Sequence, residues 1–423
     1  MVHTVIGGAI FVATLVAIMV RPFKLNEAIA AAAGAILMVV GGFIRPDEVL
    51  NVLAHEWNTF GFFLGLMVIS AFAEEAGIFE ALANAAARWG KGNAVRLYLA
   101  VFAVGATISI FLTNDATALI LTPVVYALVT RLRLPVLPFM FACTFIADTA
   151  SFVLPVSNPI NIIIQNAFGS SLGTFLRFLL LPSLVAIGLN AALFLWLFRR
   201  SLSQKYELQQ PAQRKTHNPR LLLVCSGILG LIAVSYVLGS VLQWPLSFVA
   251  LGGAALMFIA TLSLRRIQLL VIARRISWSI FLFIGGMFVV VRAVENLGFT
   301  AAFGSALLRL AGGKPFRAVL LVAGGTALGS NLINNVPMSL VMVSALHHLP
   351  LNTPAYHSLA FAAMFGADLG PNLTTVGSLA TMLWLLILRR KGLEVSTWQY
   401  FKLGMIFVPA LIVIGSLLIW KRL

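Results

Sequence analysis

Apolar residues fill unbroken windows along this chain, separated by short polar punctuation. A helix that crosses a hydrocarbon core about 30 Å thick needs a window of about 20 such residues. Uninterrupted windows occupy residues 5–20, 27–44, 57–76, 175–198, 221–242, 246–264, 277–297 and 402–420. Two further regions, 97–168 and 317–388, are equally apolar but are broken by Asn, Asp, Pro and Gly at intervals too short for plain spanning helices. One long polar stretch, residues 199–220, divides the chain near its middle. The first window, Val5 to Val20, has neither a basic stretch before it nor a small-residue cleavage pattern after it, so it reads as a membrane helix and not as a signal peptide.

Polar residues recur at one spacing. Gly65 and Gly285, Met67 and Met287, Glu75 and Glu295, Asn114 and Asn334, and Asp148 and Asp368 are each 220 residues apart. Coincidences among Leu, Ala and Val would carry little weight, but Glu, Asn and Asp are the uncommon residues of these segments. The pattern predicts an all-α polytopic membrane protein built as an inverted two-fold repeat. Residues 1–198 form the first repeat, with a hairpin at 97–130 and a broken helix at 136–168, and residues 221–423 form the second, with a hairpin at 317–346 and a broken helix at 356–388. Residues 199–220 link the two. The count is about ten spans, two re-entrant helical hairpins and two broken helices.

Composition agrees with a membrane protein: 60% of residues are hydrophobic, 10% charged, and the mean hydropathy is +0.99. Soluble domains carry about 25% charged residues. The net charge of +16 would suggest nucleic acid in a soluble protein. Here the inverted topology, with the 199–220 linker cytoplasmic, puts 20 of the 29 basic residues into cytoplasmic loops at 21–24, 88–96, 131–133, 199–220, 265–275 and 389–391. The surplus therefore follows the positive-inside rule and implies no nucleic-acid partner. It also places both termini on the periplasmic side of a cytoplasmic membrane. No catalytic role is expected: Gly312-Gly313-Lys314 is followed by Pro315, not Ser or Thr, and no zinc-binding H-E-x-x-H occurs. The two cysteines, Cys143 and Cys225, lie in apolar stretches and read as packing residues, so neither a disulfide nor a metal or other cofactor is expected.

Non-helical backbone survives at membrane depth only where it lines an enclosed cavity, so the interruptions point to the site. The hairpins carry Thr113-Asn114-Asp115 and Asn334-Asn335, which sets Asp115 opposite Asn335 in the 220-residue register. In the broken helices Pro155, Pro159 and Pro371 remove donors and Gly370 and Gly377 permit unusual torsions. Ser157, Asn158, Thr375 and Ser378 are available as caps there, and Thr374 adds a hydroxyl. Four helix ends would then meet near mid-membrane and offer polar groups to a small solute. Ionisable residues at such depth are costly, which makes Asp115, Asp148 and Asp368 candidates for solute or proton handling. Asp148 and Asp368 could instead cap the unwound segments. Glu75 and Glu295 lie near helix ends and read as interfacial, with Arg292 pairing Glu295 at i,i+3. His347, His348 and His357 read as solvated.

The segments FLTNDATALILTPVV, FIADTASFVLPVSNPINI and GADLGPNLTTVGSLATMLW closely resemble those of the ArsB-type arsenite/antimonite efflux permeases, within the ion transporter superfamily. The similarity runs from the first helix to Trp398. It departs at Asn372, where relatives often carry Lys. The resemblance implies export of trivalent arsenic or antimony in exchange for protons, with Asn114, Asp115, Ser157, Asn158, Asn334, Asn335, Thr374, Thr375, Gly377 and Ser378 around the solute and Asp115, Asp148 or Asp368 coupling the proton. Some such permeases associate with a soluble arsenite-stimulated ATPase. The sequence neither requires nor excludes a homodimer. Arsenous acid is an uncharged trihydroxy species at neutral pH and suits amide and hydroxyl partners; capture by three thiolates is excluded by two cysteines. The alternative is a sodium- or proton-coupled carboxylate or anion carrier of the same superfamily, whose carboxylate members typically bear Ser-Asn-Thr at the hairpin tips.

Overall fold

Each repeat opens with three spans joined by short connections. In the computed structural model, which describes residues 2–22, 26–207, 219–242, 244–263, 269–349 and 353–423, these are α1 (Val2–Val20), α2 (Glu27–Val40) and, after a short α3 (Pro46–His55), α4 (Trp57–Glu75). Residues 23–25, 208–218 and 264–268, which carry Lys24, most of the linker and the Arg265–Arg266 pair, lie outside the described residues. A 13-residue α5 (Ile78–Gly90) leads to the first hairpin. Its arms are α6 (Ala94–Phe111) and the run of α7 (Asn114–Ala116), a π-helical turn (Thr117–Leu121) and α8 (Thr122–Arg131). Pro123 gives the π turn its cause, because without an N–H it leaves the carbonyl four residues back unbonded. The broken helix follows as α9 (Val136–Thr149), a 3-10 turn (Pro155–Ser157) and α10 (Pro159–Phe168), and α11 (Leu172–Leu197) closes the half.

The second half repeats this order. It runs through α12 (Pro219–Val241), α13 (Leu246–Ser263), α14 (Leu269–Arg275) and α15 (Trp278–Asn296), then the short α16 (Phe299–Ala311). The hairpin is α17 (Pro315–Ile333) and α18 (Asn335–His347); the broken helix is α19 (Thr353–Leu369), a 3-10 turn (Gly370–Leu373) and α20 (Leu379–Arg390); α21 (Thr397–Trp420) ends the chain. Among the described residues eight helices are long and apolar enough to cross a membrane. Two of them, α6 and α17, are hairpin arms, so length alone does not mark a crossing. Among the described residues eight unbroken helices, two hairpins and two broken helices follow the expected order, the broken helices making up the expected ten, and four short helices, α3, α5, α14 and α16, are additional to the sequence reading.

Packing shows the two-fold relation directly. α2 packs on α15, and the equivalent pair, α13 on α4, packs in the same way. Backbones touch at both seams: a Cβ at Gly65 would overlap the Ala250 backbone, and one at Gly286 the Ala31 backbone. The second arm of each broken helix crosses over, α10 packing on α18 and α19, and α20 on α7, α8 and α9. α9 is buried at every residue from Pro138 to Thr149, the fate of a helix apolar on all sides. Both cysteines are fully buried, as expected of packing residues.

The 220-residue register needs a correction. α5 and α16 are each preceded by a left-handed glycine, Gly77 (φ 78°) and Gly298 (φ 80°), which are 221 residues apart. Trp57 and Trp278, the first residues of α4 and α15, have the same spacing, and so have the hairpin N-caps Thr113 and Asn334. Asn114 therefore corresponds to Asn335, and Asp115 to Val336. Asp148 and Asp368 return to the 220 spacing. The 221 spacing thus holds from the start of α4 to the hairpin tips and gives way to 220 before the second carboxylate.

Contacts tie the helix ends to their neighbours. His3 packs against Phe43 (4.4 Å), Trp420 against Phe316 (5.6 Å), and Arg177 donates to the Arg422 carbonyl (3.1 Å). Tyr206 donates to the Ala87 carbonyl (2.9 Å), Tyr126 to that of Lys391 (3.3 Å), and Arg275 bridges Glu74 and Glu75. Glu75 is thus an interfacial residue with a partner. Glu295 pairs with Arg292 (3.0 Å), as its spacing suggested. The histidines are less free than expected: His348 lies 3.1 Å from Glu295, His347 3.0 Å from the Ala167 carbonyl, and His357 3.1 Å from the Ser170 hydroxyl.

Candidate functional site

Four helices begin at one place in the interior, and each is started by a side chain that caps its first turn. Thr113 accepts from Ala116 N, Asn158 from Ile160 N, Asn334 from Val336 N and Ser378 from Thr381 N. The four N-termini belong to α7, α10, α18 and α20. Their aligned peptide dipoles bring partial positive charge to the gap between them. Asn334 holds φ 74° and ψ 155°, a region that side chains rarely occupy and that costs on the order of 1–3 kcal/mol. This strained turn carries the chain from α17 into α18 with no intervening loop.

A cavity of about 40 Å³ lies between these ends, lined by Asn114, Asp115, Asn158, Asn334, Asn335 and Ser378, with Ile280, Phe283 and Ile284 closing one side. Arg21 and Glu27 line it as well, and they form an ion pair (2.9 Å). A larger cavity of about 270 Å³ shares Asp115 and extends along Phe63, Met67 and Ser70 to Glu74 and Arg275. The smaller cavity thus reaches the Arg21–Glu27 pair, and the larger one the Glu74–Arg275 pair. Of the three carboxylates lining them, Glu27 and Glu74 are paired with arginines. Asp115 takes part in no ion pair among the described residues.

The other residues singled out from sequence lie outside these linings. Ser157 is fully buried and donates to the Ile110 carbonyl (2.9 Å). Thr374 bonds Asn331 (2.6 Å), Thr375 is buried at 4% exposure, and the Gly377 carbonyl accepts from Asn335 N (3.1 Å). Ser157 shapes the break in the first half and the other three that in the second, and none of them lines either cavity. Asn372 is also buried, holding the Phe145 carbonyl (3.2 Å) and Thr149 (3.1 Å).

Asp148 and Asp368 sit behind the cavity wall, each tied to an asparagine that lines it. Asn114 Nδ2 donates to Asp148 Oδ1 (3.3 Å), and Asn158 Nδ2 donates to Asp368 Oδ1. Ser151 links the pair, with Oγ 2.8 Å from Asp368 Oδ1 and 2.7 Å from the Asp148 carbonyl. Its single proton serves one of the two at a time. The second oxygen of each carboxyl has no protein partner. Neither aspartate caps its unwound segment through its side chain: Asn158 and Ser378 do that. Ser151, Thr381, Asn161 and Asn331 belong to this network and were not singled out from sequence. Ser151 stands inside the Ala-Asp-Thr-Ala-Ser run, so its proximity to Asp148 was there to be read; the others depend on which helix faces which.

Residues 14–366 match the family described as Citrate transporter. The arsenical pump membrane protein of Escherichia coli K12 is 32% identical over 415 residues, covering 96% of each chain. That of Yersinia enterocolitica is 31% identical over 415 residues, again covering 96% of both. A 46 kDa membrane protein of Mycobacterium leprae is 28% identical over 431 residues, or 99% of each chain. Among solved structures, the YdaH transporter of Alcanivorax borkumensis superposes with a TM-score of 0.61 at 16% identity, covering 88% of this chain and 86% of that one. It has the same fold.

Proposed function

The chain belongs to the citrate-transporter family, as an ArsB-type member, and on that premise we propose that it exports trivalent arsenic or antimony, as As(OH)3 or Sb(OH)3, from the cytoplasm in exchange for protons. The observation that carries the reading is the small cavity. At about 40 Å³ it holds roughly three water-sized groups, the size of a trihydroxy metalloid. Its polar lining is amides, a hydroxyl and one unpaired carboxylate, which suits a neutral solute that both donates and accepts hydrogen bonds. Citrate is far larger and multiply anionic, and the one cation at this cavity, Arg21, is already neutralised by Glu27.

The exchange is a competition at Asp115. With the cavity open toward the linker end, taken as cytoplasmic, Asp115 gives up its proton and accepts an O–H from the metalloid. On the periplasmic side a proton takes the place of that hydrogen bond and the solute leaves. Asp148 and Asp368 report the state of the site through Asn114 and Asn158, whose amides touch both the carboxyl behind and the solute in front. Both termini face the periplasm in this arrangement, and the membrane is the bacterial cytoplasmic one.

Two measurements test the reading. Efflux-deficient cells expressing the chain should hold less arsenic than empty-vector cells, and everted vesicles with an acidic interior should accumulate arsenite uphill. Citrate accumulation in place of arsenite would assign the chain to the carboxylate carriers instead. Neither cysteine lines either cavity, so a Cys143→Ala, Cys225→Ala double variant should retain arsenite uptake to within about a factor of two. Abolished uptake with protein still in the membrane would restore a thiol to the mechanism.

A further inference from the structure

The first connection of the fold carries an ion pair that the exchange at Asp115 leaves unexplained. Arg21 closes α1, where its N–H donates to the Ala17 carbonyl (3.0 Å), and it holds φ 49°. Glycine is the usual residue in this left-handed position, because a side chain strains it. Here the strained backbone carries a long cationic side chain, and that side chain runs to Glu27 at the start of α2, with Nη2 2.9 Å from Oε2. The Glu27 side chain is 17% exposed, so water and salt screen the pair only in part. Its carboxylate is not needed to cap α2, since Asn26 does that by accepting from Ala28 N (2.9 Å).

The pair stands at the solute site. Arg21, Glu27 and Asp115 are the three ionisable residues lining the small cavity, one guanidinium and two carboxylates. Glu27 is the ion-pair partner of Arg21 among the described residues, and Arg21 Nε is buried with no hydrogen-bond partner. Glu27 is thus what directs the guanidinium. The larger cavity repeats the arrangement: it too holds Asp115, and its arginine, Arg275, is tied to Glu74 and Glu75. Twice, an arginine that shares a cavity with Asp115 is held by glutamate.

The duplication provides an internal comparison. Ala31 and Ala250, which meet Gly286 and Gly65 at the two equivalent seams, are 219 residues apart. That spacing sets Glu27, the first residue of α2, opposite Leu246, the first residue of α13. Val336 already stands opposite Asp115. The half that lacks the cavity carboxylate therefore also lacks the acid at the helix start.

We propose that Glu27 is a positioning residue that holds the Arg21 guanidinium, so that Asp115 stays unpaired and free to take and give its proton. A carboxylate beside a guanidinium is held in its charged form and resists protonation. Released from Glu27, Arg21 turns to the remaining acid of its cavity, and the exchange of proton for solute stalls there. The inference rests on the proton-exchange reading above.

Glu27→Gln in everted vesicles tests it, with uptake expressed per amount of protein in the membrane. Arsenite accumulation driven by a pH gradient should fall about tenfold. Adding Arg21→Gln to the same chain should bring it back to within about a factor of three of the parent, because the guanidinium that captured Asp115 is gone. Undiminished uptake by Glu27→Gln overturns the proposal. So does a double variant as poor as the single one, which would mark Glu27 as a structural acid of α2 or a solute ligand in its own right. In both cases gradient-dependent uptake by the parent leaves proton exchange standing. If the parent itself gains nothing from the gradient, proton exchange fails and the role of Glu27 with it.

Discussion

Asp115→Asn should lower gradient-driven arsenite accumulation in everted vesicles about a hundredfold, the largest loss expected of any polar substitution at the site. The side chain keeps its shape but can neither exchange a proton nor carry a negative charge. Asp115 lines both cavities, and their other two carboxylates are engaged by Arg21 and Arg275. Its one recorded local bond is made by its backbone, which donates to Asn114 Oδ1 (3.0 Å), so the carboxyl is left to solute and proton. Four helix N-termini meet around it, and the negative charge they favour is lost in the variant. Because Val336 holds the equivalent place in the second hairpin, no second carboxylate can substitute. Asp115→Glu should restore part of the transport, since the longer acid still titrates. Uptake by the Asn variant above half of the parent's would remove Asp115 from the exchange.

Gly366→Ala should deprive the membrane of folded protein, or lower its melting temperature sharply, by overpacking worth about 3 kcal/mol or more. Gly366 and Gly370 stand four apart on the broken helix and meet Ala323 and Ala327, four apart on α17. A Cβ at Gly366 would overlap the Ala323 carbonyl oxygen, and one at Gly370 the Ala327 backbone. Small residues at this spacing let helices approach closely in lipid, where hydrophobic burial adds little between them. Asp368 is two residues on, so any widening of this seam shifts the carboxyl that Asn158 and Ser151 hold. Gly324→Ala is the control: it neighbours Ala323, yet a Cβ there meets nothing within 4 Å. It should be tolerated and even gain up to about 1 kcal/mol of helix propensity. Equal melting temperatures for the two variants would refute the close-packing account.

The spans and the breaks were legible in the chain because each has a local cause: apolar length for the first, Pro, Gly, Asn and Asp for the second. The four helix starts were legible for the same reason, since Thr113, Asn158, Asn334 and Ser378 have cap chemistry. Their neighbours Ser157 and Thr374 share that chemistry but accept from the backbone of the break, at Leu154 N and Val376 N, a choice that only packing makes. The register was half legible. Glu75 and Glu295 suggested one offset, but the paired left-handed glycines at Gly77 and Gly298 set another across the hairpin tips. The amphipathic α3 has no buried residue and is too short to stand out from a loop in an apolar chain.

The crossing of α10 and α20 has an assembly consequence. Each repeat lends its last short helix to the other, so neither half encloses a complete cavity by itself. Two separate copies of one half would have to trade these arms to fold, as subunits of a domain-swapped dimer do. The present chain is in effect such a dimer fused through its linker, and fusion removes the need for two partners to find each other in opposite orientations. Separated at the linker, the two halves would be mutually obligate: each would hold a gap shaped for the other's arm, and would reach a closed fold only in the other's company.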